Sequence, residues 1–270
     1  MKHFAIAAAL VCSTALPGLA ASEAWESVRA ELFGERTILD GSRFIAIDSP
    51  YRTPDDARAD LAAQIRAPDG GQLARITLVL DENPMPVSAV FDLNQPQPSF
   101  YFDITMRVNG ATPVHVVAEL TDGRIFAAET FVKTSGTGAC AAPPGTDPEA
   151  ALATLGRMEI SVADSGPGTL AGNLSNLASR DGRVDVDISH PSHSGMQMDQ
   201  ISLLFIPMRY VETVEIDLDG AGFVDMTGSI SLAENPRVGL AVPRQTRSVD
   251  VTMTDTSGSV SHAHKNLAGF

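Results

Sequence analysis

The chain has 270 residues, with 19 Lys and Arg against 33 Asp and Glu, a formal charge of −14. Acidity of this size repels nucleic acid and anionic lipid at long range, so neither is an expected partner; proteins with basic patches are. The length suits one large domain or two of ordinary size.

In chain order, the first element is a secretory signal. Lys2 supplies the positive end, residues 4–11 the apolar stretch, and Pro17-Gly18-Leu19-Ala20 a small-residue cleavage site, with the cut expected after Ala20. Ser13, Thr14, Pro17 and Gly18 break the apolar run short of the ~20 residues a spanning helix needs, and no later stretch is long enough. An exported, soluble protein without membrane insertion is expected. Removing Lys2 leaves 18 basic and 33 acidic residues, a charge of −15.

Trp25, Val28, Leu32 and Phe33 recur at helical spacing after Ser22, and Gly34 is placed to end that helix. Beyond it come short runs rich in Val, Ile, Thr and Phe. Strands are predicted at 74–80, 87–93, 99–108, 113–120 and 124–133, separated by Glu82-Asn83-Pro84, Gln95-Pro96-Gln97-Pro98, Asn109-Gly110 and Asp122-Gly123. The last two pairs, each between alternating runs, predict hairpins. A short helix is predicted over 149–155, then strands at 157–162, 183–188, 200–206, 213–218, 222–231, 237–242 and 247–254. Many short strands with little helix argue for an all-β protein of antiparallel sandwiches, a single barrel being the competing architecture.

Between Thr134 and Pro148 large apolar residues nearly vanish and Gly, Ala, Pro and Thr dominate. This reads as a linker that could extend roughly 50 Å, or about 25 Å out and back. Near its middle sits Cys140, the one cysteine left once Cys12 goes with the signal. An unpaired thiol is unusual in an exported protein, because oxidising compartments pair cysteines or select against them. Gly136, Gly138, Ala139, Ala141 and Ala142 around it make a flexible arm that would hold the thiol clear of both domains. No Lys, Arg or His lies within six positions of Cys140, so the sequence supplies no local activator of the thiolate.

A second constellation is His190, His193, Met196 and Met198, whose nitrogen and thioether ligands suit copper; a copper-binding module is the alternative reading. His262 and His264 read as exposed tail residues. Enzyme signatures are absent: Cys140 has no protease motif around it, and there is no nucleophile elbow or zinc-hydrolase helix. Ser165-Gly166-Pro167-Gly168 lacks the strand–turn–helix setting of a phosphate loop. Asp185, Asp187, Glu215, Asp217 and Asp219 alternate along strands and read as solvated faces. A protein without catalytic machinery or cofactor is expected.

Ordered segments along the chain carry a family resemblance. Ile76-Thr-Leu-Val-Leu-Asp-Glu-Asn-Pro-Met-Pro-Val-Ser-Ala-Val-Phe91, Thr105-Met-Arg-Val-Asn-Gly-Ala-Thr-Pro-Val-His115, Ala118-Glu-Leu-Thr-Asp-Gly-Arg124 and Phe131-Val132-Lys133 resemble the Y subunit of the SoxYZ carrier of bacterial sulfur oxidation. Ile188-Ser-His-Pro-Ser-His-Ser-Gly195, Ala233-Glu-Asn-Pro236 and Thr254-Asp-Thr-Ser-Gly258 resemble the Z subunit. Both in one chain, Y before Z, resemble the fused SoxYZ-like carriers associated with quinoprotein alcohol dehydrogenases.

The resemblance implies two immunoglobulin-like sandwiches pairing within one molecule, in the periplasm. It divides the chain into a signal at 1–20, a Y-like domain at 21–134, the cysteine-bearing linker at 135–148 and a Z-like domain at 149–270. It also implies that Cys140 is a covalent attachment point offering cargo to periplasmic redox enzymes, either of the Sox type or a quinoprotein dehydrogenase. The family arm is Gly-Gly-Cys-Gly-Gly at a chain end. Here Cys140 lies mid-chain between alanines, so a loop tethered at both ends must enter a partner doubled over.

Overall fold

The computed structural model describes residues 22–136, 138–162 and 181–267. The expected secretory segment and Ser165–Gly168 lie outside them. The predicted first helix forms as α1, Glu23–Phe33. The Ser22 hydroxyl accepts the Trp25 N–H at its start, and Gly34 at φ +56° donates its N–H to the Ala30 carbonyl at its end.

The first half then supplies eight strands: β1 (Ile38–Asp40), β2 (Ile45–Asp48), β3 (Ala59–Arg66), β4 (Leu73–Leu80), β5 (Val87–Gln97), β6 (Ser99–Met106), β7 (Thr112–Leu120) and β8 (Ile125–Val132). A short helix α2 (Pro148–Ala153) precedes the second half. Its strands are β9 (Met158–Val162), β10 (Asp181–Ile188), β11 (Val211–Leu218), β12 (Ala221–Thr227), β13 (Arg237–Pro243), β14 (Ser248–Asp255) and β15 (Val260–Asn266).

The all-β expectation holds: two immunoglobulin-like sandwich halves behind a short N-terminal helix. The halves join edge to edge in both layers. One sheet runs β1-β8-β7-β4-β5-β12-β11-β14-β15 and the other β2-β3-β6-β13-β10-β9. The seams are the antiparallel pairs β5–β12, with Phe91 opposite Met226, and β6–β13, with Ile104 opposite Val238. Pairing at the seams protects four strand edges that would otherwise be open to association.

Period-two alternation feeds one core. Along β14, Val249, Val251 and Met253 point in, while Asp250 and Thr252 are only partly covered. The continuous cluster includes Leu78, Phe91, Phe102 and Ile104 from the first half and Val186, Val214, Val224 and Leu240 from the second. On the outer face of the larger sheet, Trp25, Val28 and Phe33 of α1 cover Val79, Val117 and Ile125, and Trp25 stacks on His115 at 4.0 Å.

Several expectations needed correction. Asp122-Gly123 does close the β7–β8 hairpin, with Gly123 at φ +88°. Asn109-Gly110 closes none, because β6 and β7 belong to different sheets and neither residue takes the positive φ a tight hairpin requires. Residues 95–98 are not a reversal: β5 runs to Gln97 and the chain changes sheets at Pro98.

Residues 200–206 form no strand. The Asp199 carboxylate captures the N–H groups of Ile201 and Ser202, and Leu203 at φ +57° turns the chain. Ile201 is 94% exposed, with Leu203, Leu204, Phe205 and Met208 also exposed. Strands β1, β2, β3 and β15 were not anticipated. His262 and His264 lie on β15 rather than in a tail, and the His264 ring pairs with Asp250.

Candidate functional site

Cys140 occupies the middle of a single 3-10 turn, Ala139–Ala141, which Gly138 enters at φ +78°. That left-handed backbone explains a glycine there. The thiol residue is 0% exposed and Ala139 is buried too. The expected arm standing clear of both halves is therefore corrected: the segment lies against both of them. Of the residues assigned to it, Gly136 and Ala141 are exposed, Gly138 and Ala142 are half-buried, and Ala139 is buried.

The reason is hydrogen bonding that no composition reveals. From the first half, Asn109 Oδ1 accepts the Cys140 N–H at 3.1 Å, and the Asp56 carboxylate accepts the Ser135 N–H at 2.8 Å. From the second half, the Ser194 hydroxyl donates to the Cys140 carbonyl and Gln197 Nε2 to the Ala142 carbonyl at 3.0 Å. Glu234 accepts the Gly145 N–H at 2.7 Å.

Asn109 is itself held, since its N–H donates to Asn83 Oδ1 at 2.9 Å. The Asn83 amide donates to the Arg107 carbonyl and to the Ser231 hydroxyl. Each such bond contributes about 1 kcal/mol net, yet leaving a buried partner unsatisfied costs about 1–3 kcal/mol.

Arg107, just past β6, was missed by sequence reasoning because it is 33 positions from Cys140. It is 2% exposed. Its guanidinium donates to the carbonyls of Ser192 (2.7 Å), Ile230 and Leu232, all from the second half. Burial pushes the Cys140 thiol above its ordinary range, and the nearby guanidinium pulls partly against this. Burial likewise lowers the Arg107 pKa, and the Glu234 carboxylate, like Cys140 when ionised, pulls partly against this. At rest the sulfur is thus a sheltered thiol rather than a reactive thiolate.

A cleft of about 280 Å³ opens beside the loop, lined among others by Arg58, Arg107, Ala142, Pro143, Gln197 and Glu234. The alternation Thr105-Met-Arg-Val did not point to it, since Arg107 falls on a polar position and reads as solvent-facing.

The copper reading fails on geometry. His190 is buried, its Nδ1 accepts the Ser192 N–H at 2.9 Å, and its Nε2 faces Asp255 at 3.4 Å. His193 is engaged by Gln197 Oε1 at 3.0 Å. Met196 and Met198 stand exposed. Among the described residues no group of three or more His, Cys, Asp and Glu gathers as metal ligands. These histidines hold the base of the 190–209 loop: Asp255 contacts His190 at one end and Arg209, at 2.8 Å, at the other.

The family comparisons divide the chain as its seams do. Residues 29–140 match the family model "Sulfur oxidation protein SoxY" and residues 176–266 match "Sulphur oxidation protein SoxZ". The chain is a fused SoxYZ-like protein. No curated protein matches it.

Among solved structures it is similar to the sulfur carrier protein SoxY from Chlorobium limicola f thiosulfatophilum. That match has 21% identity and a TM-score of 0.36, and it covers 41% of this chain and 90% of that one. It is also similar to a chicken TCR at 8% identity and a TM-score of 0.23, covering 83% and 99% of the two chains. In this SoxYZ-like chain the SoxY match ends at Cys140, so the thiol closes the Y half where it meets the Z half.

Proposed function

We propose that the protein is an exported periplasmic carrier that holds a sulfur-oxidation intermediate on Cys140 and offers it to partner enzymes, without catalysing the chemistry itself. One observation carries this reading. The single thiol of the described residues is closed in at the junction of the two halves by a segment fixed through hydrogen bonds rather than apolar side chains. Such a segment opens without unfolding the core, since its contacts exchange directly for water.

The family match supports the sulfur chemistry and the Sox-type partners. A quinoprotein dehydrogenase is proposed as a further partner through the fused Y–Z arrangement. Residues 1–20 would direct export. Fusion gives the two halves a high effective concentration for each other, so their pairing needs no second subunit. As the segment is tethered at both ends, the partner must accept a doubled loop, which favours a shallow over a tunnel-like active site.

Intact-mass spectrometry of the protein from its native periplasm, with and without reductant, tests this. A mass increment removed by reductant and absent from Cys140→Ser supports carriage. A consistently bare or dimer-linked thiol overturns it.

A further inference from the structure

A buried guanidinium normally meets a carboxylate, because a cation taken from water without a counter-ion costs several kcal/mol. Among the described residues the partly buried arginines do so: Arg183 pairs with Asp103 at 2.6 Å, and Arg209 with Asp255 at 2.8 Å. Arg107 is more buried than either, yet among the described residues no carboxylate lies within 4.0 Å of it. Its partners are three carbonyl oxygens, all reached through one terminal nitrogen. Carbonyl dipoles and the more distant Glu234 carboxylate offset part of the desolvation, but no carboxylate pairs with the guanidinium directly.

The acids on the cleft bond backbone N–H groups rather than Arg107. Glu234 accepts the Gly145 N–H, and Asp55 accepts the Ala57 N–H at 2.9 Å. Arg58, also on the cleft, donates to the backbone carbonyls of Glu234 and Asn235. The cleft of about 280 Å³ that Arg107 lines takes in Ala142, two residues from the buried thiol, so a group on Cys140 reaches it once the turn around the thiol opens.

We propose that Arg107 is the counter-ion for a negatively charged group borne on Cys140, making it the residue that selects anionic cargo. The proposal rests on the carrier reading and specifies the charge of what is carried. A neutral or cationic adduct leaves Arg107 uncompensated, whereas an anionic one gives it the ion pair it lacks in the resting protein.

The test uses three thiol reagents that differ in charge, on the full chain carrying Cys12→Ser so that Cys140 is the one thiol. They are 2-sulfonatoethyl, methyl and 2-(trimethylammonio)ethyl methanethiosulfonate. In each case Cys140 gives its proton to solvent and its sulfur attacks the thiosulfonate. An S–S bond forms, the sulfenyl–sulfonyl bond breaks, and methanesulfinate leaves with the electron pair. Cysteine is oxidised to the disulfide level and the sulfonyl group is reduced to the sulfinate.

The anionic adduct is expected to melt roughly 3 °C or more above the cationic one, with the neutral adduct between. In Arg107→Gln the spread should fall below about 1 °C, and in Arg107→Lys it should largely persist. The net charge of −14 favours the cationic adduct, so the expected order runs against the global field. Equal melting, or a more stable cationic adduct, in the Arg107 protein overturns the proposal. That comparison decides the matter even if Arg107→Gln fails to fold after losing its three carbonyl contacts. Because the adducts are synthetic, a bare thiol in the native periplasm would defeat carriage without touching this result, and a missing charge preference would leave carriage standing.

Discussion

Two loops near the junction of the halves contradict their composition in opposite directions. The segment from Thr134 to Pro148 is built of small residues with little to bury, yet at its middle Ala139 and Cys140 are buried. Residues 196–208 carry Ile201, Leu203, Leu204 and Phe205, and these stand in solvent. The difference lies in who supplies the polar partners. The first loop pairs its backbone N–H and carbonyl groups with Asn109, Asp56, Ser194, Gln197 and Glu234, side chains carried on other loops of the two halves. The second lends Gln197 to the first and closes its outer turn on its own Asp199, which leaves the apolar side chains of that turn in solvent. Burial in this region follows placed acceptors and donors, not hydrophobicity.

The largest expected break of this contrast is Asn109→Ala. It orphans the Cys140 N–H inside the structure at a cost of about 1–3 kcal/mol. If the packed loop opens locally, the reaction of Cys140 with 4,4′-dithiodipyridine should speed up roughly ten- to hundred-fold, while the melting temperature falls only modestly. An unchanged rate would show that Asn109 does not hold the thiol in.

Acidification should act on the base of the exposed loop. Burial lowers the His190 pKa to about 4 from the ordinary 6.5. Between those values the unfolded chain binds a proton the folded one excludes. Stability is therefore complete above pH 6.5 and is lost as pH falls toward 4, by at most roughly 3 kcal/mol. Asp255, which burial pushes up but hydrogen bonds from Ser259, Arg209 and Ser257 together hold below the usual carboxylate range, acts with the same sign at still lower pH. Melting curves from pH 7.5 to 4.5 should fall more steeply for the natural protein than for His190→Gln; parallel curves would remove His190 from the account.

Gln197→Ala, which loses one bond to the segment, should raise thiol reactivity by about five-fold, less than Asn109→Ala. At the other extreme, Phe205→Ser and Ile201→Ser should shift stability by no more than about 0.5 kcal/mol and leave the thiol rate unchanged. A large loss would mean those side chains pack on something after all.

Much of the fold was legible because alternating runs such as 213–218 and 247–254 report one buried face directly. Strands β1 and β2 were too short to show a period. In β3, Ala59 and Ala62–Ala63 are buried without looking apolar enough to claim a core position. The seams are also illegible locally, since they depend on which edges find each other. At the site, Cys140 stood out by its rarity and by the family resemblance. Its enclosure did not, because Asn109, Arg107, Ser194 and Gln197 come from distant segments, and their pairing exists only once the two sheets are assembled. The Asn109-Gly110 reading failed for a related reason: the asparagine side chain that suits a hairpin is spent on Cys140.

The central claim is that Cys140 becomes available by local opening of its segment while the fused sandwich stays folded. Thiol-exchange kinetics in urea concentrations below the unfolding transition test it directly. The account predicts a rate nearly independent of urea over that range, because little surface is exposed on opening. A rate that climbs with the full urea dependence of global unfolding would contradict it.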